Sequence, residues 1–140
     1  MPHLVIEYSA NIEERLDLDS LMDELHRVAL ETSVFPIGGL RIRAYRAEHY
    51  RVADCDPANA FVHVTAMIGH GRPLDVQKRA GERLFAALTA HLEPLFEQTP
   101  LAISFNIQEF HPVLNFKKNN LHRHVEARRG AADADADDRK

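Results

Sequence analysis

Cys55 is the chain's only cysteine, so no internal disulfide can form and stability has to come from packing. No Cys/His spacing matches a structural zinc site; the pair in His122-Arg123-His124 lacks a third ligand, and no metal is expected. Long hydrophobic runs are also missing. Charge or histidine breaks every apolar stretch well short of the roughly 18–20 residues a bilayer crossing needs, which excludes a transmembrane protein. The opening Met1-Pro2-His3 has no basic region and reaches Glu7 before any useful apolar length, so no signal peptide is read and a cytoplasmic location is expected. Nor is there an excess of positive charge: seventeen basic against twenty-one acidic residues give a net charge of -4, which argues against nucleic acid as the main partner.

What is present is one domain's worth of globular sequence, 140 residues with 45% apolar and 27% charged side chains. Pro2-His3-Leu4-Val5-Ile6-Glu7-Tyr8 reads as a largely buried strand. A polar connection carrying Asn11, Glu13, Glu14 and Arg15 follows. Leu18, Leu21, Met22, Leu25, Val28 and Ala29 then recur at helical spacing, with Asp17 as N-cap, Asp19 in the first turn and Pro36 beyond the end. After the Gly38-Gly39 turn, Leu40 to Arg46 alternates apolar with basic residues, the period of a strand. Asp54 to Asn59 reads as a loop, Phe61 to Ile68 as a third strand and Gly69 to Pro73 as a turn. Leu74 to about Phe96 reads as a second helix whose last turn is kinked or frayed at Pro94, and Leu101 to Phe110 as a fourth strand.

The order strand, helix, strand, repeated once, predicts an α+β domain of two βαβ units. Each unit holds a parallel strand pair, and together they make a four-stranded sheet with both helices on one face. The other face is left open and is expected to carry apolar side chains that a partner subunit would bury. Pro112 to Leu121 is too apolar for free solution and too irregular for a helix, and is expected to dock on a neighbour. The domain is read as residues 1–126. From about Ala127 to Lys140 an alternation of Ala and Asp cannot bury apolar surface and reads as a disordered tail.

The candidate for chemistry is Pro2. Removal of Met1 would leave a secondary amine at the head of a strand that fixes its position. Such an amine is a base only when neutral, and burial and nearby cations both push its pKa down. The arginines of the second strand, and Arg72 in the turn before the second helix, are candidate cations. Each also has a plainer reading. Arg41 and Arg43 equally fit a solvated sheet face, while Arg72 sits at a helix start, where anions are attracted in any case.

Five segments carry a family likeness: Pro2 to Ser9, Phe35 to Arg43, Ala60 to Val64, Ile68 to Arg72 and His111 to Asn120. From Pro2 to about His124 the chain resembles the 5-carboxymethyl-2-hydroxymuconate isomerases of the tautomerase superfamily. The resemblance implies a tautomerase-like fold, a homotrimer and no cofactor. It also implies isomerisation of the enol of 5-carboxymethyl-2-hydroxymuconate to its unsaturated keto isomer in homoprotocatechuate (4-hydroxyphenylacetate) degradation, with Pro2 as general base and then acid. A polycarboxylate substrate needs fixed cations, for which Arg41, Arg43 and Arg72 are the candidates, with Phe35 lining the pocket. An aromatic before Pro36 also fits the core. His63 reads as structural, Lys117 to Asn120 as solvated or in contact with a subunit, and Cys55 as having no base beside it. The alternatives are a tautomerase or hydratase for another 2-hydroxydienoate, a phenylpyruvate-like enol or a haloacrylate, and a trimeric binding protein without turnover.

Overall fold

A computed structural model describes residues 1–139. The first strand, β1 (His3–Ser9), leads through a 3-10 turn (Ala10–Arg15) into α1 (Leu18–Glu31) and β2 (Arg41–Ala47). β3 (Ala60–Ile68), α2 (Leu74–Gln98) and β4 (Leu101–Glu109) repeat that order, and α3 (Leu121–Asp138) follows. The sheet runs β2-β1-β3-β4. β1 is parallel to β2, β3 is parallel to β4, and the two units meet antiparallel along β1 and β3. Two βαβ units therefore build one sheet, as the repeated pattern predicts.

Local chemistry explains the boundaries. Asp17 caps α1 by accepting from the Ser20 backbone N–H at 3.2 Å, a bond worth about 1 kcal/mol. Pro94 sits within α2, which nevertheless continues to Gln98; the packed apolar face holds its last turn. Alternation along the central strands puts Leu4, Ile6 and Tyr8 of β1 and Val62, Val64, Ala66 and Ile68 of β3 into one core. Leu21, Leu25 and Val28 of α1 and Leu84, Leu88 and Leu92 of α2 join them. Truncating one such leucine to alanine costs about 2–5 kcal/mol. The stretch read as a polar connection is the 3-10 turn, and it buries Ile12 completely.

Two expectations are corrected. The open sheet face is not mainly apolar. Val5, Phe61 and Met67 share it with Glu7, Arg43, His63 and Ser104, and His63 Nδ1 lies 2.6 Å from the Ser104 hydroxyl. The Ala/Asp stretch expected to be a disordered tail from Ala127 is helical through Asp138. α3 has no buried residue, so intrinsic propensity, led by its alanines and arginines, is what favours the helix. Lys140 lies outside the described residues. Pro112 to Asn120 has no regular structure, and Val113, Leu114 and Phe116 are exposed on it. Among the described residues no helix is long and apolar enough to cross a membrane.

Candidate active site

Register decides what surrounds Pro2. His3 pairs with Arg41 on one side and Met67 on the other, so the residue before His3 lies between the start of β2 and the end of β3. The Arg41 backbone N–H donates to the Pro2 carbonyl at 3.1 Å, which ties the chain end to the sheet, and Pro2 is buried. Gly39 allows the approach. A Cβ there would stand 3.1 Å from Pro2 Cδ, tighter than ordinary van der Waals contact. On the other side, Gly71 takes a φ of +108°, a conformation open to glycine and costly for other residues, and the turn it makes carries Arg72.

The result is a cavity of about 400 Å³ lined by Met1, Pro2, Gly39, Arg72, Lys117 and His122, with Pro36, Gly69 and Asn119 completing it. Its wall from beyond β4 is held in place: the Asn119 side-chain amide donates to the Gly38 carbonyl at 2.9 Å. A Cβ on Gly38 would clash with the His122 ring, so the Gly38-Gly39 pair makes room for the proline on one side and this wall on the other. The electrostatics are those of an amine among cations. Burial lowers the pKa of the Met1 amine from the usual 8.0, and the charges of Lys117, Arg41 and Arg72 lower it further.

The predicted site residues separate into groups. Pro2 and Arg72 share the cavity. Arg41 acts on it through its charge, while its Nη1 donates to the Gly39 carbonyl at 2.6 Å. Arg43 is not brought in. It pairs with Val5, two residues and roughly 6–7 Å further along the sheet, where its Nη1 donates to His3 Nδ1 at 2.8 Å and its Nε to the Tyr45 hydroxyl at 3.1 Å. Phe35, expected to line the pocket, is 2% exposed, packs in the core and does not border this cavity. Lys117, Asn119 and His122, which the sequence pattern places in solvent or in an incomplete metal pair, line this cavity. The one signal that pointed to Lys117 and Asn119 was their place within a segment that carries the family likeness.

Two βαβ units joined antiparallel, with a buried proline just before the first strand, give the chain a tautomerase-like fold. One solved structure with this fold is a fused 4-OT wild-type symmetric trimer, with a TM-score of 0.59 at 16% identity over 84% of this chain and 94% of that one; at that identity it shows the fold alone. The chain belongs to the 5-carboxymethyl-2-hydroxymuconate isomerase family, whose model matches residues 2–125, and it is an isomerase. It is 42% identical to the 5-carboxymethyl-2-hydroxymuconate Delta-isomerase of Escherichia coli over 122 residues, 87% of this chain and 97% of that protein. The structure of a 5-carboxymethyl-2-hydroxymuconate isomerase from Deinococcus radiodurans R1 is also 42% identical. It superposes with a TM-score of 0.83, covering 89% of this chain and 93% of that one.

Proposed function

We propose that the chain isomerises 5-carboxymethyl-2-hydroxymuconate, converting the enol to its unsaturated keto isomer within homoprotocatechuate degradation, with Pro2 as the proton carrier. Removal of Met1 turns the Pro2 nitrogen from an amide, which has no usable lone pair, into a secondary amine. The neutral amine takes the proton of the 2-hydroxyl, leaving a dienolate and a prolinium, and the prolinium returns that proton to a carbon further along the conjugated chain. Arg72 and Lys117 hold carboxylates of the substrate and offset the oxyanion charge, and the nearby charge of Arg41 disfavours the protonated amine. No cofactor takes part in this cycle. The observation that carries the reading is the burial of Pro2 in a cavity lined by Arg72 and Lys117, whose charges lower the pKa of the adjoining Met1 amine.

A homotrimer in the cytoplasm is part of the same proposal. The open, mixed face of the sheet and the exposed Val113, Leu114 and Phe116 are surfaces a neighbouring copy would cover. Light scattering after size exclusion tests the trimer, and a stable monomer removes it.

The reaction is tested by following the ultraviolet absorbance of 5-carboxymethyl-2-hydroxymuconate with two preparations whose termini are established by intact mass. One begins at Pro2 and the other retains Met1. Turnover by the Pro2 form alone is expected. Equal turnover by both removes Pro2 as the base, and an inactive Pro2 form moves the substrate to another enol.

A further inference from the structure

A second cavity, of about 420 Å³, shares Pro36 and Arg72 with the first. Leu30, Phe35 and Ile37 form its apolar wall, and Thr32, Ser33 and Arg129 face it together with Arg72. Among the described residues neither arginine makes an ion pair. The one hydrogen bond from Arg72 is a long one, 3.5 Å from Nη1 to the Gly69 carbonyl. The Thr32 hydroxyl is committed, donating to the Ala29 carbonyl at 2.8 Å, whereas the Ser33 side chain is exposed beside the two guanidiniums. Two like charges on one cavity repel each other, and an anion between them reverses the sign of that interaction.

We propose that this second cavity is an anion subsite that takes the substrate carboxylate furthest from Pro2, held by Arg129 and the Ser33 hydroxyl, with Arg72 shared between the two cavities. The proposal rests on the isomerase reading above, and it explains why one guanidinium borders two cavities: a polycarboxylate needs cations at both ends and in between. Arg129 lies in α3, beyond residues 2–125 that match the family, so the subsite is an addition made by this chain's own C-terminal helix. It acts on affinity, because the carboxylate it holds is remote from the reacting atoms, and uniform binding of ground and transition states changes KM without changing kcat.

The test separates binding from turnover. Calorimetric titration of the Pro2-terminated protein with propane-1,2,3-tricarboxylate, an unreactive probe, reads binding directly. Arg129→Gln, which keeps helix propensity, is expected to weaken the tricarboxylate about fivefold, the effect of one partly exposed ion pair. Arg129→Lys recovers part of the loss. With 5-carboxymethyl-2-hydroxymuconate the same variant raises KM by a similar factor at constant kcat. Equal tricarboxylate affinity in the parent and Arg129→Gln proteins, or no binding by the parent, overturns the subsite even if turnover is normal. Arg129-dependent binding in a protein without turnover keeps the subsite and overturns the isomerisation instead.

Discussion

The two halves of the molecule share a fold and differ in chemistry, and the difference lies at the starts of their first strands. β1 begins at His3 and β3 at Ala60, so the residues preceding them, Pro2 and Asn59, occupy corresponding places. Pro2 follows the chain terminus and faces Arg72 and Lys117 across a cavity. Asn59 is fixed in mid-chain. Its side-chain amide donates to the Val52 carbonyl at 3.1 Å and to the Asp54 carboxylate at 2.7 Å, and its carbonyl accepts from the Asn11 amide at 2.9 Å. The backbone N–H of Asp56, and then Asn59 itself, hold the Asp54 carboxyl below its usual pKa. One end of the sheet therefore collects cations around an amine, and the other collects amides around a carboxylate. Duplication supplies two equivalent strand starts, and the loops beside them differ in the sign of their charge; the proposed reaction uses the cationic one.

The sharpest way to break the comparison is to change the corresponding residues in parallel. Pro2→Ala leaves a primary amine in the cavity after Met1 is removed, less well tuned than the secondary amine. It is expected to lower kcat about 100-fold, the low end of what a positioned general base contributes, with thermal unfolding little changed. Asn59→Ala is expected to do the opposite. Losing its two side-chain hydrogen bonds costs about 1–2 kcal/mol of stability, while turnover of the folded enzyme stays at the parental level. Steady-state kinetics and denaturant titration on both variants decide the matter, and a catalytic loss of similar size at Asn59 would erase the distinction between the two ends.

A smaller effect sharpens the electrostatic half of the contrast. Lys117 is the leading charge acting on the Met1 amine after burial itself, and it lines the cavity that holds Pro2. Lys117→Met is expected to lower kcat/KM about five- to tenfold through the lost carboxylate contact. It also moves the acidic limb of the pH profile to higher pH, because a base whose pKa has been lowered is neutral above that value and protonated below it, and removing a cation lets the pKa rise. Lys118→Met is the control, since Lys118 does not line the cavity. A limb that stays put in Lys117→Met would show that Lys117 does not tune the amine and leave burial and the two arginines as the causes.

Much of this was legible in the residues, and the parts that were not have a physical reason. Leu18 to Ala29 and Phe61 to Ile68 carry one unbroken period each, so α1 and β3 lie within one or two residues of where the pattern puts them. Pro2 and Arg72 were legible because one heads a strand and the other sits in a glycine-bounded turn beside a helix. Arg43 misled because period two says which side chains share a face but not how far along the strand the site lies; only the pairing with Val5 settles that. Lys117, Asn119 and His122 have no period at all. They reach the cavity through the Asn119 bond to the Gly38 carbonyl, a contact between residues far apart in sequence. The Ala/Asp stretch misled in the other direction, since failure to bury surface does not prevent a helix where local propensity favours one.

The smallest expected effect concerns the residue next to Pro2. Burial lowers the pKa of His3 from 6.5, and Arg43, Arg41 and the chain terminus lower it further; its counterpart at the other end, Ala60, has nothing to titrate. The unfolded chain protonates this histidine near pH 6.5 while the folded chain resists to a lower pH. Between those values the unfolded state binds more protons, and stability falls as the pH drops. Above pH 6.5 both states are neutral there and His3 contributes no slope. His3→Gln keeps an acceptor for Arg43 and removes the titration, so its stability is expected to decline less than that of the parent between pH 6.5 and 5, with the two curves parallel above pH 7. Identical slopes in denaturant titrations across that range would mean that Arg43 moves away when His3 takes a proton. The acid sensitivity would then belong to other groups, and the contrast between the two ends of the sheet would reduce to Pro2 and the cations around it.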